Sequence, residues 1–254
     1  VTGVQTCALP ISQGGNEAYQ LWRLDAAGRT PVLLTDPDQR HAFEDWLPGQ
    51  RTPLALVASV PLDRTAQGGK RENPSTRLWL LDPMQPPSES ASARTVATLP
   101  GTGWGVGAVS PDGRQAAMTR YISATDSELW LLDLADGQRR LLLPQPGQPR
   151  ASHFARRFSP DGRQLYLGSD RGGEFRELWR LSLADGALQR LTGDTPWDVD
   201  EMDTSPDGRW LAMRINIDGR DELRLMDAAT GTWKPLGAVP GGSVVDLKFH
   251  PALP

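Results

Sequence analysis

The pentapeptide Ser-Pro-Asp-Gly-Arg occurs three times, at Ser110–Arg114, Ser159–Arg163 and Ser205–Arg209, 49 and 46 residues apart. Each copy is turn chemistry. Proline pre-sets φ, aspartate hydrogen-bonds its own backbone, and glycine accepts positive φ. A short apolar stretch follows each turn, as in Gln164–Gly168 (QLYLG) and Trp210–Arg214 (WLAMR). After a polar loop comes a second repeat: LWLLD at Leu129–Asp133, LWRLS at Leu178–Ser182 and LRLMD at Leu223–Asp227. Two more copies lie upstream, LWRLD at Leu21–Asp25 and LWLLD at Leu78–Asp82. A second turn follows, LADG at Leu134–Gly137 and Leu183–Gly186, and AATG at Ala228–Gly231. Another apolar stretch closes the unit, at Arg140–Leu143 or Leu188–Thr192.

This pattern predicts three strands per unit, with a fourth before the SPDG turn at Ala155–Phe158 and Glu201–Thr204. Four short antiparallel strands every ~40–50 residues are the signature of a β-propeller blade. The LWxLD strand is apolar on both pleat faces, which suits an inner strand packed between neighbouring sheets. A solenoid is the alternative architecture, but its repeats are shorter and mostly pair in parallel. The expected fold class is therefore all-β, a propeller of four-stranded blades with about five units present.

The units are expected at roughly 13–40, 41–99, 100–150, 151–195 and 196–240, with the start of another at 241–254. In the second unit Trp46–Arg51 (WLPGQR) stands in for SPDGR. Polar and Pro/Ser-rich tracts at Asp63–Thr76 and Pro83–Ala93 read as surface loops. Phe249-His250-Pro251 aligns with Phe158-Ser159-Pro160, so the chain is expected to stop as a blade begins, leaving an incomplete propeller. An open array exposes sheet edges, so self-association is expected of the isolated chain. Residues 1–11, VTGVQTCALPI, match a common sequencing-adapter sequence translated in frame. The segment 1–12 is read as an adapter-derived artefact or unstructured leader and set aside. It holds the only cysteine, Cys7, so neither a disulfide framework nor a thiol nucleophile is expected.

Composition narrows the function classes. The 254 residues carry 27 Lys+Arg against 31 Asp+Glu, a net charge of −4, which argues against a nucleic-acid partner. No apolar run reaches the ~18 residues of a membrane span, so no membrane partner is expected. With 26 Gly and 22 Pro the chain is rich in turns, and 9 Trp can help fill a core.

Three segments carry a family resemblance: Gly14–Asp25 (GGNEAYQLWRLD), Ser169–Phe175 (SDRGGEF) and Trp197–Gly219 (WDVDEMDTSPDGRWLAMRINIDG). Together they resemble the N-terminal propeller of the prolyl oligopeptidase family of serine peptidases, in its acylaminoacyl-peptidase and dipeptidyl-peptidase-like branches. The likeness runs from Gly14 to Pro254. SPDG alone is less specific, because TolB-like propellers share it. In that family the propeller holds no nucleophile. It caps a following α/β-hydrolase domain and restricts access to short peptides. The resemblance thus implies a substrate-gating propeller whose partners are its own C-terminal hydrolase domain and a peptide. It implies no cofactor. A stand-alone, protein-binding TolB-like propeller with no enzymatic role is the alternative.

No catalytic residue is expected. A hydrolase elbow reads G-x-S-x-G. Gly168–Gly172 (GSDRG) has serine misplaced, and Gly241–Val245 (GGSVV) lacks the second glycine. His41, His153 and His250 fall on different units. No metal site is expected either. Asn216–Glu222 and Asp198–Asp203 are oxygen-rich but lack calcium-loop spacing, and read as a hairpin turn and a strand with solvated acids. The candidate substrate contacts are Asp200, Glu201, Arg171 and Glu174. Dipeptidyl-peptidase relatives grip a peptide's free amine with propeller carboxylates, a role the resemblance extends to Asp200 or Glu201. For Arg171 and Glu174 the competing expectation is a salt bridge that orders their loop.

Overall fold

The computed structural model describes residues 18–24, 30–65, 68–69, 73–85, 94–193, 195–234, 236 and 243–250. The leader 1–12 and Pro251 lie outside them. All regular structure among these residues is strand, apart from isolated turns. The chain divides into two compact units, one of residues 1–105 with 133–138, the other of 106–132 with 139–254.

In the first unit β1 (Trp22–Arg23) pairs with β2 (Val32–Leu33). A four-stranded meander follows: β3 (Gln39–Trp46), β4 (Ala55–Pro61), β5 (Ser75–Leu81) and β6 (Thr95–Pro100). The WLPGQR segment makes the β3–β4 turn, with Gly49 at φ +72° and the Leu47 amide donating to the Leu54 carbonyl. Its core gathers Leu21, Leu34, Ala55, Val57, Trp79 and Leu81.

The second unit holds three further meanders, save for Trp104, Gly105 and Asp133 at strand ends. The first comprises β7 (Trp104–Val109), β8 (Gln115–Ser123), β9 (Asp126–Asp133) and β10 (Arg139–Leu143). The second comprises β11 (His153–Phe158), β12 (Gln164–Ser169), β13 (Glu177–Ser182) and β14 (Leu188–Arg190). The third comprises β15 (Val199–Thr204), β16 (Trp210–Ile217), β17 (Arg220–Asp227) and β18 (Trp233–Lys234). The expected fourth strand is therefore present, as β11 and β15. The LWxLD strand is third in each sheet and paired on both sides, as its two apolar faces predict.

Pleat alternation explains how these sheets stack. On β12, Leu165 and Leu167 enter a core with Ala117, Leu129, Leu131 and Leu143 from the preceding sheet. Tyr166, between them, enters a second core with Met202, Leu211, Met213 and Met226 of the following sheet. A strand whose successive side chains feed two cores must lie between two layers. The first strand β11 lies against β8 and β15.

The three SPDGR turns share one hydrogen-bond set. In the first, Ser110 Oγ donates to Asp112 Oδ1 at 2.6 Å and accepts from the Gln115 amide at 2.9 Å. Asp112 Oδ1 also accepts from the Arg114 amide. Asp161 and Asp207 repeat the pattern with Ser159 and Ser205. The glycines sit at φ +69°, +70° and +71°. Successive turns lie side by side, because a Cβ on Gly208 would come 3.1 Å from the Pro160 ring.

Residues 243–250 form no strand but are held by acids of the preceding sheet. The amides of Val244, Leu247 and Phe249 donate to Asp221, Glu201 and Asp203 at 2.6, 3.1 and 2.7 Å.

Candidate functional site

Two segments converge in the second unit. The first is the SDRGGEF loop, which connects β12 to β13. The second is Trp197–Asp200, which leads into β15. Between them is an open cavity of about 490 Å³ lined by Glu174, Phe175, Trp197, Asp198, Asp200 and Asn216. Local sequence explains the convergence. Asp170 starts a tight turn in which the Gly173 amide donates to its carbonyl at 3.0 Å. The exposed Gly172-Gly173 pair then carries Glu174 and Phe175 outward. The Phe175 and Trp197 rings meet at 6.5 Å, tilted by 39°, and form an apolar wall.

Arg176 joins the two segments. Its Nε and Nη2 donate to Asp198 Oδ2 at 3.0 and 2.7 Å, and its own amide donates to Asp198 Oδ1 at 2.8 Å. The Val199 amide donates to the Arg176 carbonyl. Its side chain also lies over the Phe154 ring. Asp198 is thereby neutralised. Asp200 receives only a long 3.4 Å contact from Arg176 Nη2, so most of its hydrogen-bonding capacity stays open to the cavity.

The four candidate residues have different surroundings. Asp200 and Glu174 line the cavity. Glu201 is engaged elsewhere: Oε1 accepts from the Leu247 amide, and Oε2 lies 3.5 Å from Arg214 Nε. Arg171 lies over the Trp179 ring at 5.3 Å. No ion pair joins Arg171 to Glu174, contrary to the loop-ordering bridge expected from sequence. The two intervening glycines send the side chains apart, and the Trp179 face takes the guanidinium instead.

The acids of β15 are also less solvated than the sequence suggested. Asp203 is only 9% exposed and accepts from Arg157 Nε at 2.9 Å. Asp198 is held by Arg176. The Asn216–Glu222 segment is the hairpin turn expected, with Asp218 and Gly219 at φ +50° and +79°. Asn216 Nδ2 donates to Asp221 Oδ1 at 2.8 Å. The Val244 amide, then Asn216, hold the Asp221 carboxyl below the usual carboxylate range, with Arg214 adding to the effect. Among the described residues no cluster of three or more His, Cys, Asp or Glu side chains is arranged to hold a metal. No helix among them is long and apolar enough to cross a membrane.

Ser169 and His153 do meet, Oγ to Nδ1 at 2.9 Å, but both are buried. An equivalent pair, Ser59 and His41, meets at 2.7 Å on β4 and β3. A pairing repeated in two sheets, and closed to solvent in each, is a packing feature of the blade. The GSDRG sequence therefore forms no nucleophile elbow.

Sequence reasoning missed Phe175, Trp197 and Asn216 as cavity-lining groups. Their signal was the aromatic residue at the end of DRGGEF and the start of WDVD, which reads equally well as core.

No family model and no curated protein matches the chain. Solved structures do. TolB from Acinetobacter baumannii superposes with a TM-score of 0.59 at 21% identity, over 91% of this chain and 50% of that one. A puromycin-hydrolyzing peptidase from Mycobacterium tuberculosis gives 0.65 at 17% identity, over 91% and 38%. A structure from a study of two prolyl endopeptidases gives 0.55 at 11% identity, over 93% and 42%. The chain thus spans half or less of these three structures. At such identities the likeness defines architecture, and the chain has the all-β propeller fold of the TolB and prolyl oligopeptidase type.

Proposed function

We propose that this chain is the non-catalytic, substrate-gating propeller of a serine peptidase acting on short peptides, with the α/β-hydrolase domain encoded outside these 254 residues. The observation that carries this reading is the convergence of the DRGGEF and WDVD segments on one open cavity. Both segments carry the resemblance to the prolyl oligopeptidase family, and together they build an acidic pocket with an aromatic wall. Such a lining suits the cationic end of a peptide. The ammonium meets Asp200 and Glu174, and the adjoining side chain packs on Phe175 and Trp197. Glu201 is not assigned a contact, because Arg214 and the Leu247 amide already engage it.

The second reading is a protein-binding propeller without enzymatic role, favoured by the likeness to TolB. The open reading frame beyond Pro254 discriminates the two. A G-x-S-x-G elbow followed by Asp and His supports the peptidase. A stop codon after one or two further blades removes it. In the whole enzyme, Asp200→Asn is expected to raise KM for peptides with a free amine roughly tenfold and to leave N-acetylated peptides unchanged. Equal effects on both substrates would sink the ammonium assignment.

A further inference from the structure

Asp198 and Asp200 stand two residues apart and both line the cavity. A β-bulge between Val199 and Glu201 on β15 leaves Asp200 out of the ladder, and a bulge re-aims one side chain. One guanidinium reaches both acids. Arg176 Nη2 donates to Asp198 Oδ2 at 2.7 Å and to Asp200 Oδ1 at 3.4 Å. The position of that nitrogen sets which of the two carboxylates is neutralised.

Asp198 holds the guanidinium because the backbone holds Asp198. Its Oδ1 accepts the Arg176 amide at 2.8 Å, and the Val199 amide donates to the Arg176 carbonyl at 2.8 Å. These two bonds set the main chains of Arg176 and Asp198 side by side. Oδ2 then lies within reach of Nε and Nη2 together, at 3.0 and 2.7 Å. Asp200 has one long contact in place of two short ones. An arginine fork keeps its charge at any working pH and pairs best where two N–H groups meet one carboxylate. An asparagine at 198 would still accept the Arg176 amide on Oδ1. Its Nδ2, however, would set a donor against the donors of the fork. The fork would then turn to the other carboxylate already in contact with Nη2, which is Asp200.

We propose that Asp198 is a positioning residue for amine recognition: by capturing Arg176 it keeps Asp200 free for the ammonium of the ligand. Asp198 does not meet the ligand itself, since its two oxygens are occupied by the amide and the fork of Arg176. The proposal rests on the reading of the cavity as an ammonium site and adds what makes that site available. It predicts that a residue without ligand contact controls amine affinity, and that it does so only through Arg176 and Asp200.

Titration calorimetry on the intact chain tests this with two probes: Phe-Ala amide, whose amine is free, and its N-acetyl counterpart. Asp198→Asn is expected to weaken binding of the free amine about tenfold and to leave the acetylated probe unchanged. In an Asp200→Asn background the same substitution should alter amine binding by no more than about twofold, because no carboxylate is left for Arg176 to block. Adding Arg176→Gln to Asp198→Asn should restore amine affinity to within about twofold of the unaltered chain. An equal loss from Asp198→Asn in both backgrounds would make Asp198 a direct contact and overturn the proposal. Arg176→Gln alone gives an answer even if Asp198→Asn does not fold. It should tighten amine binding, and a weakening overturns the proposal. If Asp200→Asn weakens amine binding and Asp198→Asn does not, the ammonium reading stands and the role of Asp198 falls. If acetylation makes no difference in the unaltered chain, or neither probe binds, both fall.

Discussion

His153 is the residue whose surroundings have the largest consequence for pH. Burial, then the nearby Arg171, lowers its pKa to about 4, against the opposing pull of Asp170 and Asp126. The folded protein therefore holds it neutral, while an unfolded histidine takes a proton near pH 6.5. Between those values the unfolded state binds more protons, so stability falls as pH drops from about 6.5 to about 4. The shift corresponds to roughly 3 kcal/mol for so buried a side chain. Thermal melts from pH 7 to pH 4.5 should show that loss, and His153→Asn should flatten the slope. An unchanged slope would locate the titration elsewhere. The SPDGR aspartates act in the same direction at lower pH. Hydrogen bonds from Ser110, Ser159 and Ser205, then from the following arginine amides, hold Asp112, Asp161 and Asp207 below the usual carboxylate range. Their support is complete above about pH 4 and disappears as pH falls through the lowered values. Ser205→Ala removes both the donor to Asp207 and the acceptor for the Trp210 amide. Chemical denaturation should show a loss of about 1–3 kcal/mol.

At the scale of elements, the glycine with least room for a side chain in the second unit is Gly107 on β7. A Cβ there would stand 2.1 Å from the Ala155 carbonyl oxygen on β11. Backbone cannot yield as a flexible side chain can, so Gly107→Ala should destabilise the protein by about 1–3 kcal/mol or more. Gly105→Ala on the same strand meets nothing within 4 Å and serves as the control. Equal midpoints for the two variants would show that β7 and β11 are not in tight register. Leu167 on β12 makes the complementary point. It is fully buried between layers, and Leu167→Ala should cost about 2–5 kcal/mol by the same measurement. Strands and turns were legible in sequence because their signals are local. SPDGR supplies its own hydrogen bonds within five residues, and LWxLD announces two buried faces through alternation alone. The bulges in β3, β11 and β15, which leave Glu44, Arg156 and Asp200 out of the ladder, were not legible. Glu44, Arg156 and Asp200 look like ordinary alternating positions until the partner strand reveals which residue the ladder skips.

For the whole molecule, the expected behaviour is binding without turnover. Purified chain should not hydrolyse aminoacyl or peptidyl chromogenic substrates, and serine-reagent-sensitive turnover would contradict the assignment of gating to this chain. Two of the six cavity-lining residues could be read in advance. Asp200 and Glu174 stood in motifs that marked them, whereas Phe175, Trp197 and Asn216 gained their significance from neighbours distant in sequence. The sequence alone determined the repeat, the strand order within each sheet and the turn chemistry, because each depends on interactions spanning a few residues. The tertiary structure decided which charges remain available to a ligand. Asp198 and Asp203 carry the same charge as Asp200 within one short run. Arg176 claims the first across 22 residues and Arg157 the second across 46. Charge competition in a folded protein is settled by distance and desolvation, and both are fixed only when the sheets have packed.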